Sequence, residues 1–365
     1  MLERMTEQTS LWEHLRETKK PVYLYGMGDG AVKIMEALSR YQIPLAGIFA
    51  SDEFVRGHSF AGFPVRRYSQ VRERHGSDFI ALLAFAINYE PMLSVLSRME
   101  GECEFYAPDV PVVRTDDRLF TPGYVEQYEQ ELEEVWEHLA DEQSRRVFLG
   151  TLNYKVSGKM HYLRDITTEK GEAWTEILHP SGDEFYADLG AYTGDTIEEF
   201  LGYTGGRHGG ILALEPDARN FAKLTRAMES RGIPADCRNV GAWDRHDTLF
   251  FKGGKGGRNS LLSKEGKIPV EVDSLDRLTE GRPVDFLKFD VEGAEERAVA
   301  GASSTIRQYG PAIIMSAYHR NEDLFALPLQ ILKLRPDYQV FLRHHPYIPA
   351  WDTNFYFTRF PAAVS

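Results

Sequence analysis

Apolar residues along the chain fall into one pattern that occurs twice: a short continuous apolar run, a glycine-bearing turn, apolar positions three and four apart, then a second apolar run ending beside an acid. Continuous apolar runs predict strands covered on both faces, and the three-and-four spacing predicts amphipathic helices packed on them. The first copy starts at Pro21. Val22-Tyr-Leu-Tyr25 is its strand, Gly26-Met-Gly28-Asp-Gly30-Ala31 its turn, and Val32, Ile34, Met35 and Leu38 its helix face; Leu45-Ala-Gly-Ile-Phe49 is the second strand, ending near Asp52. The second copy has the strand Glu184-Phe-Tyr-Ala-Asp188, the turn Leu189-Gly190-Ala-Tyr-Thr-Gly194-Asp195-Thr196, a helix from Thr196, and the strand Gly210-Ile-Leu-Ala-Leu214 running into Glu215-Pro216.

Between the copies, residues 121–154 carry Tyr124, Val125, Tyr128, Leu132, Val135 and Leu139 at helical spacing. That stripe predicts a helical connection that packs the two units together, with 155–174 as a lid over the entrance. Beyond Glu215 the pattern predicts a helix from Ala218 to Ser230 and a strand around Cys237-Arg-Asn-Val240. Further strands are expected at Pro283-Val-Asp-Phe-Leu-Lys-Phe289, Ala312-Ile-Ile-Met315 and Tyr338-Gln-Val-Phe-Leu342. Strands alternating with helices give an α/β fold class with a mostly parallel sheet. The expected division is an amino-terminal Rossmann-like domain at 1–110, a helical connection at 111–180 and a second α/β domain at 181–365.

Composition narrows the function classes. A chain of 365 residues with 42% hydrophobic and 27% charged residues has room for about two folded domains and suits neither a disordered nor a collagen-like protein. A net charge of −13 disfavours nucleic acid or an anionic membrane as the main partner. With no apolar window of about 18 residues and no signal-peptide pattern, the expectation is a cytoplasmic protein without membrane insertion, acting on a small molecule. Cys103 and Cys237 cannot supply a disulfide framework or a four-cysteine zinc site; both are read as small core residues.

The two turns suit different ligands. Gly26, Gly28 and Ala31 match the G-x-G-x-x-G/A spacing that brings a pyrophosphate against backbone and helix start, with Asp52 placed for ribose hydroxyls. A tight turn without a dinucleotide is the preferred reading of these residues, because a lone glycine fingerprint is a weak signal. The second turn differs because Asp188 ends the strand before it. A carboxylate there would repel a pyrophosphate but suits the ammonium and sulfonium charge of S-adenosylmethionine. Glu215, 21 residues after Gly194, stands where an acid accepts both ribose hydroxyls.

Asp188-Leu-Gly-Ala-Tyr-Thr-Gly-Asp-Thr196, Leu214-Glu-Pro216, Val272-Asp-Ser-Leu-Asp-Arg-Leu278 and Phe286-Leu-Lys-Phe-Asp-Val-Glu-Gly-Ala-Glu295 together resemble the ordered motifs of FkbM-family S-adenosylmethionine-dependent methyltransferases, over 183–357. The resemblance implies a class I methyltransferase (Rossmann-like) fold for 181–365, with a seven-stranded sheet whose carboxy-terminal strand is reversed. It also implies that Asp290 and Glu292 lie beside cofactor and substrate. Tyr192 departs from the family, which often has Asn there. The amino-terminal unit, through Gly47-Ile-Phe-Ala-Ser-Asp-Glu-Phe-Val-Arg-Gly57 and Gly62-Phe-Pro-Val65, resembles the small Rossmann-like domain found ahead of some sugar-nucleotide acyltransferases.

Asp188, Gly190, Tyr192, Gly194, Thr196, Glu215, Trp243 and Asp290 are accordingly the cofactor-binding candidates, with Trp243 either stacking on the adenine or packing in the core. His319, after the strand at 312–315, is the candidate general base, taken as neutral at working pH, with Asp290 and Glu292 beside the acceptor. These carboxylates would face the reacting hydroxyl or hold a divalent ion with water, and the metal is left open. Glu295 reads as a helix-start acid favoured by the dipole. Lys288 reads as the partner of an acid. Arg343-His344-His345 reads as a site for an anionic part of the substrate or as a rim, and Lys252-Gly-Gly-Lys-Gly-Gly-Arg258 as a hairpin tip. The expected function is methyl transfer to an acceptor oxygen, on a saccharide, nucleotide-sugar or secondary metabolite. Two alternatives stay open: a nicotinamide-dependent oxidoreductase using Gly26, Gly28, Ala31 and Asp52, and a non-catalytic nucleotide-binding module. The sequence leaves the oligomeric state open.

Overall fold

Val22 and Leu24 point to one apolar layer and Tyr23 and Tyr25 to the other, the period-two alternation of a strand covered on both faces. In the computed structural model, which describes residues 1–113, 118–251, 262–263, 266 and 268–359, this run is β1 (Val22–Tyr25). It joins β2 (Leu45–Ala50), β3 (Ser59–Phe60), β4 (Phe63–Arg67), β5 (Ile80–Leu83) and β6 (Glu104–Tyr106) in the order β3-β4-β2-β1-β5-β6. Neighbours are parallel except for the short β3–β4 hairpin. Helices Asp29–Arg40, Tyr68–His75 and Glu90–Glu100 connect them.

The second sheet begins with β7 (Phe185–Leu189), β8 (Gly210–Leu214) and β9 (Asp236–Arg238). A small sheet interrupts it, built from β10 (Gly241–Ala242), β11 (Asp247–Phe251), β12 (Leu262–Ser263) and β13 (Ile268–Asp273). Then β14 (Phe286–Phe289), β15 (Ala312–Ser316), β16 (Gln339–His344) and β17 (Thr353–Thr358) complete the order β16-β17-β15-β14-β7-β8-β9. Only β17 runs against its neighbours in this sheet. This is the class I methyltransferase arrangement, reversed strand included. The strand order turns round between β7 and β14, and the carboxyl ends of the strands at such a switch point are the place where open α/β sheets take ligands.

Between the sheets in sequence, the helices Pro122–Gln127, Glu129–His138 and Glu142–Ser157 bury Val125, Leu132, Val135, Phe148 and Leu152 in one cluster with Tyr23 and Phe49 of the first sheet and Leu287 and Phe289 of the second. The expected lid at 155–174 is corrected: Lys155, Met160, Leu163 and Trp174 are all buried, and Trp174 stacks on Phe286 at 5.5 Å between ring centres. A segment that fills the core cannot open over it. The Gly/Lys run at 252–258 lies outside the described residues. Cys103 is buried and Cys237 half-buried, and neither forms a disulfide. Among the described residues no helix is long and apolar enough to cross a membrane.

Candidate functional site

Gly190 follows β7 with φ +88°, and a Cβ there would lie 1.8 Å from the Asp290 carbonyl oxygen. Only glycine lets the turn after β7 touch the loop after β14. Its N–H donates to the Leu214 carbonyl at 3.0 Å, which draws β8 to the same edge. Tyr192 holds the left-handed region at φ +48° with its ring half-exposed, and its N–H donates to Glu215 Oε2 at 2.9 Å. Gly194, φ +92°, leads into the helix Asp195–Thr204, whose first turn contains the half-buried Thr196.

Glu215 is 6% exposed and accepts a second backbone N–H, from Asp217 at 2.9 Å, on Oε1. Burial outweighs these two donors and pushes its carboxyl up to about 7. Glu215 therefore lies against the glycine turn, as its spacing from Gly194 predicts. Asp188 is placed differently. It is fully buried, with Lys288 Nζ 3.1 Å from its Oδ1 and the Tyr186 hydroxyl donating to its Oδ2 at 3.2 Å. Asp188 and Lys288 are direct register partners on β7 and β14, so the pairing expected of Lys288 follows from strand geometry. Lys288 also donates to the Gly190 carbonyl at 3.1 Å and lies 3.8 Å from Asp290 Oδ2. Burial opposes a charged amine here, but Asp188 and then Asp290 hold Lys288 above its ordinary range. One buried cation thus carries the acids of two strands and fixes the turn between them.

At the carboxyl end of β14, Asp290, Glu292 and Glu295 face His319, which follows β15. His319 is 1% exposed. Its Nδ1 lies 3.0 Å from Glu295 Oε1, and its Nε2 lies 3.6 Å from Asp290 Oδ1 and 3.7 Å from Glu292 Oε2. The Tyr318 hydroxyl donates to Asp290 Oδ1 at 3.3 Å. Glu292 takes φ +53°, a conformation that costs a non-glycine residue about 1 kcal/mol or more and aims its carboxylate at the cluster edge. Burial would lower the imidazole, but Glu295, then Asp290 and Glu292, raise His319 to about 10. The expectation of a neutral imidazole at working pH is therefore corrected: three carboxylates around one ring favour the imidazolium.

Residues 188–347 match the family model described as the methyltransferase FkbM domain. Over these residues the chain resembles an FkbM methyltransferase. An FkbM methyltransferase from Methylobacillus flagellatus KT has the same fold: the likeness covers 95% of this chain and 92% of that one, with a TM-score of 0.73 at 21% identity. It runs through the amino-terminal sheet as well. An rRNA methylase from Streptococcus thermophilus is similar over 50% of this chain and 89% of its own, at 12% identity and a TM-score of 0.34. Aeropyrum pernix fibrillarin, solved with natively bound S-adenosyl-L-methionine, is similar over 51% and 71%, at 15% identity and a TM-score of 0.33. No curated protein matches the chain.

Within this stretch, the acid turn, Glu215 and the Asp290–His319 cluster share one sheet edge, while other candidates lie elsewhere. Trp243 packs on the apolar cluster of the small sheet, with the Arg297 guanidinium 5.9 Å from its ring centre. Arg343, His344 and His345 form neither a rim nor an anion site, which corrects that reading. All three are buried: Arg343 pairs with Asp141 at 2.6 Å, His344 Nδ1 meets Thr353 Oγ1 at 2.9 Å, and His345 bridges the Thr168 carbonyl and the Tyr356 hydroxyl. In the first sheet, Gly26 and Gly28 turn at φ +105° and +106° before the helix that holds buried Ala31, and Asp52 accepts the Ser69 N–H at 3.0 Å.

Two residues of the cluster escape sequence reasoning. Glu295, read there as a dipole-favoured helix acid, is 1% exposed and turned to His319; Asp323, 3% exposed, is pushed above its ordinary range by burial and by Glu295. A six-residue spacing of acids before an alanine-rich helix was the only available signal for Glu295. For Asp323 there was none.

Proposed function

We propose that this protein transfers the methyl group of S-adenosylmethionine to an acceptor oxygen, most simply a hydroxyl of a saccharide, a nucleotide-sugar or a secondary metabolite in the cytoplasm. The observation that carries the reading is the placement, at one carboxyl edge of the sheet, of Glu215 against the glycine turn and of the Asp290–Glu292–His319 cluster. Gly190, Tyr192, Gly194, Thr196 and Glu215 would hold the cofactor, while Asp188, buried against Lys288, would fix the turn from behind and Trp243, packed in the small sheet, would not take part. The fold and the FkbM domain support a methyltransferase; the acceptor comes from the chemistry of the edge.

The cofactor supplies an activated methyl, so the chain's task is to align the oxygen with the sulfonium carbon and accept one proton. The acceptor oxygen forms the new bond to the methyl carbon as the carbon–sulfur bond breaks, and its proton passes to a carboxylate. Asp290 and Glu292, with side chains 31% and 45% exposed, reach the open side of the cluster, whereas His319 is enclosed. In this reading His319 belongs to the catalytic set by fixing both carboxylates.

Calorimetric titration with S-adenosylmethionine, S-adenosylhomocysteine and NADH tests the cofactor. Micromolar binding of the two adenosyl ligands without NADH is expected; NADH binding alone would transfer the working site to Gly26, Gly28, Ala31 and Asp52 and sink this proposal. His319→Ala should lower turnover about 10²-fold or more at unchanged S-adenosylhomocysteine affinity. Full turnover in that variant would remove His319 from the catalytic set.

A further inference from the structure

A second property of the Asp290–His319 edge stands apart from proton transfer. Asp290, Glu295 and His319 each place one ligand atom within 4.8 Å of the other two, on three separate pieces of chain: the end of β14, the start of the helix Glu295–Gly301, and the loop after β15. The separations of His319 Nε2 from Asp290 Oδ1 and Glu292 Oε2, 3.6 and 3.7 Å, exceed a hydrogen bond yet suit atoms that share one ion. Among the described residues, Glu295 Oε2 is buried without a hydrogen-bond partner in a residue 1% exposed, and His319 turns Nδ1 to Glu295 Oε1 at 3.0 Å, which leaves Nε2 as the ring nitrogen for an ion. A buried carboxylate oxygen without a donor is costly, and a cation answers it directly.

We propose that Asp290, Glu295 and His319 form a binding site for one divalent transition-metal ion, with Glu292 at its open side. The donor set decides the class. Two carboxylates suit Mg²⁺, Ca²⁺ or Mn²⁺, but an imidazole favours a transition ion, so Mn²⁺ or Zn²⁺ fits the mixed set better than Mg²⁺ or Ca²⁺. Lys288 at 3.8 Å from Asp290 Oδ2 and the Tyr318 hydroxyl on Oδ1 act on Asp290 from outside and hold its carboxylate in place, as partners of metal ligands do. The binding claim stands on this geometry alone. A role in methyl transfer, lowering the pKa of an acceptor hydroxyl bound to the ion, rests on the methyltransferase reading above.

The test uses the full chain, stripped with chelator and titrated with Mn²⁺ alone, with free Mn²⁺ read by electron paramagnetic resonance. One saturable site with a Kd below about 1 mM is expected, weakened about tenfold or more in Asp290→Asn and in His319→Asn. Lack of a saturable site in the wild-type chain, or wild-type affinity in both variants, overturns the proposal. S-adenosylhomocysteine binding by calorimetry reports whether each variant is folded. In the wild-type chain it also separates the two ideas, since adenosyl binding without a saturable Mn²⁺ site removes the metal site and leaves the methyltransferase reading in place. The converse result keeps the ion and removes the cofactor assignment. Should either Asn variant fail to bind S-adenosylhomocysteine, Glu295→Gln takes its place under the same criterion.

Discussion

Glu215 shows how one side chain carries opposite pH dependences with and without a ligand. Its carboxyl stands at about 7 because burial favours the protonated form, although the Tyr192 and Asp217 amides favour the charged one. In the empty protein the native state holds this proton more tightly than the unfolded chain, whose carboxyl titrates near 4.5, so this group's contribution to stability falls as pH rises from about 4.5 through about 7. On the proposed reading adenosyl binding has the reverse sign, because ribose hydroxyls would donate to the ionised form. S-adenosylhomocysteine affinity should rise between about pH 6 and pH 8 in calorimetry, and Glu215→Gln should bind about tenfold more weakly at pH 8 with little pH dependence. A flat profile in the wild-type chain would free Glu215 from the ribose.

At the scale of elements, the turn after β7 is set by one close approach and one left-handed backbone angle, and a single methyl group would break both. In Gly190→Ala the new Cβ would meet the Asp290 carbonyl at 1.8 Å while the backbone stays at φ +88°. Both β7 and β14 are anchored in the core and cannot yield, so this substitution should cost about 3 kcal/mol or more of stability and abolish adenosyl binding, as thermal melts and calorimetry would report. A melt within a degree of wild type would mean the two loops can separate. The importance of Gly190 was legible in sequence, because apolar runs fixed β7, β8 and β14 and a glycine after an acid marks a turn. The cluster was legible only in part. Asp290 and His319 end adjacent parallel strands, a placement that strand order predicts, but Glu295 reaches His319 across two loops, and a contact between residues 24 positions apart leaves no periodic trace. Nor does spacing reveal burial of polar groups. Arg343, His344 and His345 look like a surface cluster until Asp141, Thr353 and Tyr356 are found opposite them.

For the whole molecule, the question is whether the two sheets are separate folding units. One apolar cluster runs from Tyr23 and Phe49 through Leu132, Phe148 and Leu152 to Leu287, Phe289 and Phe355. Polar links cross the same junction: Ile87 and Ile348 exchange backbone hydrogen bonds at 2.7 and 2.8 Å, Val113 N–H donates to the His319 carbonyl at 2.9 Å, and buried Lys155 pairs with Asp109 at 2.7 Å. Without an apolar seam, neither sheet can unfold and leave the other's buried surface covered, so the chain should melt in one cooperative transition. Ligand linkage makes this decisive. S-adenosylhomocysteine binding at the second sheet should raise the midpoint of the entire transition in scanning calorimetry, with no ligand-insensitive component. Two resolved transitions, with only one moved by the ligand, would show that the first sheet folds by itself. Asp109→Asn sharpens the test, since it leaves Lys155 buried without a counter-charge at a cost of about 3 kcal/mol or more. In a cooperative chain that substitution, remote from the glycine turn, lowers the one midpoint and leaves the transition single.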